Sequence, residues 1–158
     1  MGEHVQLEGV LSHQALAELS RVKFVRVHQP LKWSYGYAKS PAFVKSMEFA
    51  RLIEGAVGIP VRISYTNIAC FEKGDYTVLY DALKPARGFV FFLDVFSLDE
   101  SCGGFTSFVG KTGEMVRVVP KRNVLSIIKA DGLRFFTKYV NHHAKSPRVF
   151  LIGVALPK

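Results

Sequence analysis

"GDYTVLYDALKPARGFVFFLDV", residues 74–95, reads as an extended run, a basic turn containing Pro85 and Gly88, and a second run that is almost wholly apolar. Short β-rich runs broken by Pro/Gly turns are the mark of an antiparallel sheet, and the same texture continues on both sides. VRISYTNIA (61–69), YTVLY (76–80), GFVFFLDV (88–95), GFTSFV (104–109), EMVRVV (114–119), NVLSII (123–128), FFTKYV (135–140) and RVFLIGV (148–154) are strand candidates. Lys111, Thr112 and Gly113 supply a hairpin signal between two of them. Strands at this spacing suggest an antiparallel sandwich or jelly roll. Upstream the period becomes helical. Ser12 caps a short helix over SHQALAELS (12–20), Val22–His28 alternates as a strand, and Ser40 with Pro41 opens a second helix. That helix is expected to bury Phe43, Met47, Ala50 and Ile53 and to end at Gly55 or Gly58. The two helices are expected to pack outside one sheet. No repeat, low-complexity tract or Gly/Ser linker divides residues 1–158, which are read as one domain.

Of the 158 residues, 49% are hydrophobic and 22% charged, enough for a real core. Cys70 and Cys102 lie far apart without CxxC or Cys/His spacing, so neither a zinc site nor a disulfide framework is indicated. No apolar run is long enough to span a bilayer, and MGEHVQLEGV lacks the regions of a signal peptide, so the reading is a cytoplasmic protein with no membrane partner. The formal charge of +8 and pI near 9.6 favour acidic partners, with RNA or a ribonucleoprotein surface first and a protein or peptide second. The basic residues gather in RVKFVR (21–26), KPAR (84–87) and PKR (120–122), never in one long tail. Asn and Gln number three each, a composition that leans towards a heat-adapted source.

Helical elements first and a β-rich half after, together with GDYTVLYD, FFLDV followed by ESCGG, GEMVRVVPKRNVLSI and RFFTKYVNHHAKSPRVFLIG, resemble the prolyl 4-hydroxylase-like branch of the Fe(II)/2-oxoglutarate dioxygenases. These matches cover nearly the whole chain in the family's order. The resemblance implies an α+β, mainly β fold: a double-stranded β-helix (jelly roll) with N-terminal helices packed on one sheet. It also implies iron held by His-x-Asp/Glu on one strand and a distal His on a later one, with 2-oxoglutarate held by an Arg or Lys beyond. Side chains two apart on a strand point the same way, which lets such a pair converge on one ion.

The positions matching those ligands are Tyr80, Ala82 and Phe135, with Asp81 facing the opposite side, so the metal motif is degenerate. The five histidines are His4, His13, His28, His142 and His143, and no shift of register brings one into the matching strands. An atypical iron site would have to combine Tyr80 and Asp81 with His142 or His143; Tyr is an uncommon iron ligand. Arg148 matches the residue that holds 2-oxoglutarate and is the candidate for binding it or another small anion. The former metal pocket is expected to be apolar and aromatic, filled by Tyr80, Phe135 and neighbours such as Phe91; the alternative is a small cleft able to take a peptide side chain or a stacked base.

ESCGGF (100–105) has no neighbouring His to make Cys102 a nucleophile, and Gly103 and Gly104 read as a bulge or tight turn. Lys-Thr-Gly at 111–113 lacks the companion motifs of β-lactamases. No P-loop, dinucleotide fingerprint or HExxH occurs. Asp75, Asp81, Asp94, Asp99 and Glu100 offer no acid/base pair that spacing alone can choose. The sequence therefore reads as a dioxygenase-fold binding module without catalytic residues and without a cofactor. The alternatives are an Fe(II)/2-oxoglutarate-dependent hydroxylase with atypical ligands and an anion binder using Arg148.

Overall fold

The computed structural model describes residues 4–78 and 88–158. In chain order the elements are β1 (His4–Glu8), α1 (His13–Ser20), β2 (Val25–Gln29), β3 (Trp33–Ala38), α2 (Met47–Val57), β4 (Val61–Phe71), β5 (Tyr76–Thr77), β6 (Phe89–Asp94), β7 (Thr106–Gly110), β8 (Gly113–Val118), β9 (Val124–Lys129), β10 (Arg134–Thr137) and β11 (Arg148–Pro157), with short 3-10 turns at Ala42–Lys45 and Glu100–Cys102. An eight-stranded antiparallel sheet runs β1-β9-β6-β11-β4-β3-β2, with β5 added beside β3, and faces a three-stranded sheet, β10-β7-β8. Thr137 N–H donates to Thr77 Oγ1 (2.8 Å), so β5 joins the two sheets at one side. This is the jelly-roll arrangement expected from the strand spacing.

The apolar runs of β6 and β11 are continuous because both faces of the large sheet are covered. Phe89, Phe91, Leu93, Leu125, Ile127 and Leu151 point outwards and form one core with Leu16 and Leu19 of α1 and Phe49, Ile53 and Val57 of α2. Val90, Phe92, Ile128, Phe150 and Ile152 point inwards and form a second core with Val118, Phe108 and Phe135 of the small sheet. Period-two alternation thus sorts each strand between two cores.

Ser12 caps α1 as expected, accepting from Ala15 N–H (3.2 Å). The second helix departs from expectation. Ser46, not Ser40, accepts from the first-turn N–H of Phe49 (3.2 Å), and extended backbone at Ser46 separates α2 from the preceding 3-10 turn. The register of the buried face moves with the cap: Phe49, Ile53 and Val57 are buried while Met47 is 68% exposed. Ser40 instead bonds Thr66 of β4. Gly58 closes the helix at φ 77°, a conformation open to glycine. Strands β1 and β3 were not anticipated. A polar pin fixes the β2/β3 hairpin: Asp75, 3% exposed, accepts from both Arg26 Nη atoms (2.7 and 2.5 Å), Ser34 Oγ and the Glu72 N–H.

Gly153 of β11 is where strand and side chain come closest. A Cβ there would lie 2.2 Å from Phe91 Cζ and 2.7 Å from the Tyr65 carbonyl oxygen. Gly153→Ala is therefore expected to lower stability by roughly 2–4 kcal/mol through overpacking, read as a reduced urea midpoint at unchanged m-value.

Candidate functional site

A narrow cavity of about 50 Å³ opens between the sheets where β3, β4, β5, β10 and β11 meet. Alternation along β4 turns Tyr65, Asn67, Ala69 and Phe71 towards it, and β10 and β11 add Phe135, Thr137, Phe150 and Ile152. Its apolar floor is a stack of rings: Tyr35 on Phe71 (5.2 Å, 9° between planes) and Phe71 on Phe150 (5.6 Å, 22°). Phe135 continues the floor against Phe108 (5.1 Å) and Phe92 (6.0 Å). The polar groups at its wall are the hydroxyls of Tyr35, Tyr65, Thr77 and Thr137 and the Asn67 amide.

Beneath Phe150 lies Arg148, fully buried, its guanidinium 4.2 Å from the Phe150 ring centre. Its Nε donates to Asp94 Oδ1 (2.7 Å) and its Nη2 to Asp94 Oδ2 (3.2 Å), while Nη1 donates to the Gly104 carbonyl (2.9 Å) and Thr106 Oγ1 (2.6 Å). The β6/β11 ladder makes this pair, since Asp94 stands opposite Phe150, two residues along from Arg148 and on the same face. Burial pushes the Asp94 carboxyl above its ordinary range, opposed by the charge and hydrogen bonds of Arg148. Thr106 also bonds Thr137 (3.0 Å), whose N–H reaches Thr77, so a polar chain climbs from the ion pair to the cavity wall.

The expected site residues fall in different places. Arg148, expected to hold 2-oxoglutarate or another small anion, holds an internal carboxylate instead and does not line the cavity. Phe135 does line it. Phe91, expected as a filler, points to the opposite face and packs on Phe49 (5.7 Å), because odd-numbered residues of β6 face the helices. His142 and His143 are exposed on the turn between β10 and β11, rings 3.9 Å apart, away from the cavity lining. Tyr80, Asp81 and Ala82 lie outside the described residues. Cys70 is buried, its thiol pushed up to about 11 by burial, which leaves it protonated and inert at neutral pH. Sequence reasoning missed Asp94 as a site residue. Its signal was a carboxylate ending the run FVFFLD, where a buried charge requires a partner.

These groups do not fit an iron centre with 2-oxoglutarate. The described cavity wall offers hydroxyls and an amide where Fe(II) needs imidazole and carboxylate. No group of three or more His, Cys, Asp or Glu converges among the described residues. Arg148, the candidate read from the sequence for holding 2-oxoglutarate, is paired with Asp94.

No protein-family model and no curated protein sequence matches this chain. Solved structures do match its fold. A 2OG-Fe(II) oxygenase-family oxidoreductase from Burkholderia pseudomallei has a TM-score of 0.72 at 12% identity, covering 98% of this chain and 85% of that one. A Pseudomonas putida prolyl-4-hydroxylase has a TM-score of 0.71 at 13% identity over 99% and 93%. The alpha ketoglutarate-dependent epimerase SnoN from nogalamycin biosynthesis has 0.70 at 16% over 98% and 76%. The chain thus has the double-stranded β-helix fold of the 2-oxoglutarate/Fe(II) oxygenases.

Removing one partner of a buried pair leaves the other charge stranded. Asp94→Ala is expected to cost roughly 3–5 kcal/mol, and adding Arg148→Met to it should recover much of that loss in chemical denaturation. If Arg148 were a free cation, the Asp94 variant alone would be nearly silent.

Proposed function

We propose that this chain is an oxygenase-fold binding module that recognises a protein segment and performs no iron/2-oxoglutarate chemistry. The observation that carries this reading is the closure of Arg148 by Asp94, which occupies with a side chain the cation that a dicarboxylate would need. The absence of histidine between residues 29 and 141 supports it from the sequence.

A protein partner is preferred to RNA because, among the described residues, the basic side chains are scattered and partly paired; KPAR (84–87) lies outside them. RVKFVR leads into β2 at one edge of the large sheet, while PKR precedes β9 towards the other. Five strand spacings, roughly 24 Å, separate those strands. Arg26 is committed to Asp75, Lys121 to Glu8, and Arg117 to Glu100 and Glu114. RNA-binding surfaces usually gather such charge in one stripe.

The fold itself favours a second reading, an oxygenase with atypical ligands drawn from Tyr80, Asp81, His142 and His143, since SnoN has been solved with Fe3+ and alpha ketoglutarate. Anaerobic incubation with Fe(II) and 2-oxoglutarate, then desalting, metal analysis and thermal melting, separates the two. The binding-module reading predicts no retained iron and an unchanged melting temperature. About one iron per chain, with thermal stabilisation by 2-oxoglutarate, would overturn it in favour of the oxygenase.

A further inference from the structure

Strand β4 is longer than the strand that covers it. On one side β11 pairs with it from Val61 to Phe71, with a bulge that leaves Ser64 without a partner in the ladder. On the other side β3 pairs only with Ile68, Ala69 and Cys70. Past Ala38 the chain turns away into the 3-10 segment and α2, so among the described residues no strand pairs with 61–66 on that side. An open groove of about 620 Å³ runs there, lined by 61–66 in unbroken succession and faced by Lys45, Ser46, Met47 and Ala50. Neighbouring strand residues point to opposite faces. With its β3 side uncovered over 61–66, the strand presents its edge to the groove, with its backbone donors and acceptors. One of these, the Val61 N–H, is taken by Glu54 Oε1 (3.0 Å).

We infer that this edge is a docking site for an extended acidic peptide segment, which would add to the large sheet as a strand beside β4. Resting on the binding role proposed above, the inference names where that role is exercised. An unpaired edge is a template for another backbone, which a nucleic acid cannot supply. The exposed cations Lys45 and Arg62 flank the groove; Lys158, at its end, is paired with Glu54 (2.9 Å). No Asp or Glu is among the lining residues, and the Glu54 carboxylate at the groove's end is held by Lys158 and the Val61 N–H. Those charges repel a second copy's identical edge and attract acidic side chains. Met47, 68% exposed, offers an adaptable apolar contact. Tyr65 lines both the groove and the inter-sheet cavity, placing the docked strand at the cavity's mouth.

The test is selection of a displayed library of random octapeptides on the full-length protein, counter-selected on the Lys45→Glu/Arg62→Glu double variant. Both positions are exposed, so the variant should fold, which circular dichroism checks. Expected are acidic, β-prone sequences whose synthetic peptides bind roughly tenfold or more weakly to the variant. Binding should vanish when alternate peptide amides are N-methylated, and amide shifts should fall on residues 61–66. No enrichment over the counter-selection, or binding indifferent to N-methylation, overturns the inference. So does displacement of the selected peptides by oligouridine from the same residues, which would mark a polyanion groove. Iron and 2-oxoglutarate binding would instead overturn the binding-module reading, so the two failures are distinct.

Discussion

Arg148 and Asp94 hold the centre of the molecule. A guanidinium and a carboxylate, both removed from water, persist together only where geometry is good and remaining donors are satisfied. Here β11 and β6 supply the alignment, the Gly104 carbonyl and Thr106 supply further acceptors, and Phe150 covers the cation. Through Gly104 and Thr106 the pair ties one end of the large sheet to the start of β7 in the small one. It also shapes the site above it: with the charge balanced below, the described residues give the cavity uncharged groups, namely hydroxyls, an amide, rings and the side chains of Ala69 and Ile152.

The surrounding fold follows from a large sheet with both faces covered. Each central strand contributes one set of side chains to the helices and one to the small sheet. That leaves little freedom at positions such as Gly153. Freedom survives at the margins, where β3 leaves β4 after three paired residues and exposes an edge beside two cations.

Much of this architecture was legible in the sequence. The β-rich half is written in apolar runs and turn residues, the Lys111–Gly113 hairpin falls where its turn residues place it, and Ser12 caps its helix. The start of α2 was not legible because two serines compete for the cap, and tertiary contact settles the matter by giving Ser40 to Thr66. Strands β1 and β3 do alternate, as HVQLE and WSYGYA, but over only five and six residues and without the continuous apolar run that marks β6 and β11. Arg148 was visible as a cation matching an anion-binding position. Its partner lies 54 residues earlier and becomes a neighbour only through the β6/β11 ladder. Phe91 was assigned to the wrong core for a similar reason: alternation gives a strand's two faces, but only sheet packing says which one meets the helices.

Closure of Arg148 by Asp94 is reported directly by the Arg148 Nε–H proton. In 15N-resolved NMR that signal should be sharp at neutral pH, slow to exchange with water, moved by Asp94→Asn and unmoved by millimolar 2-oxoglutarate. Fast exchange in the free protein, with a shift and protection appearing on addition of 2-oxoglutarate, would show an open cation and contradict the account.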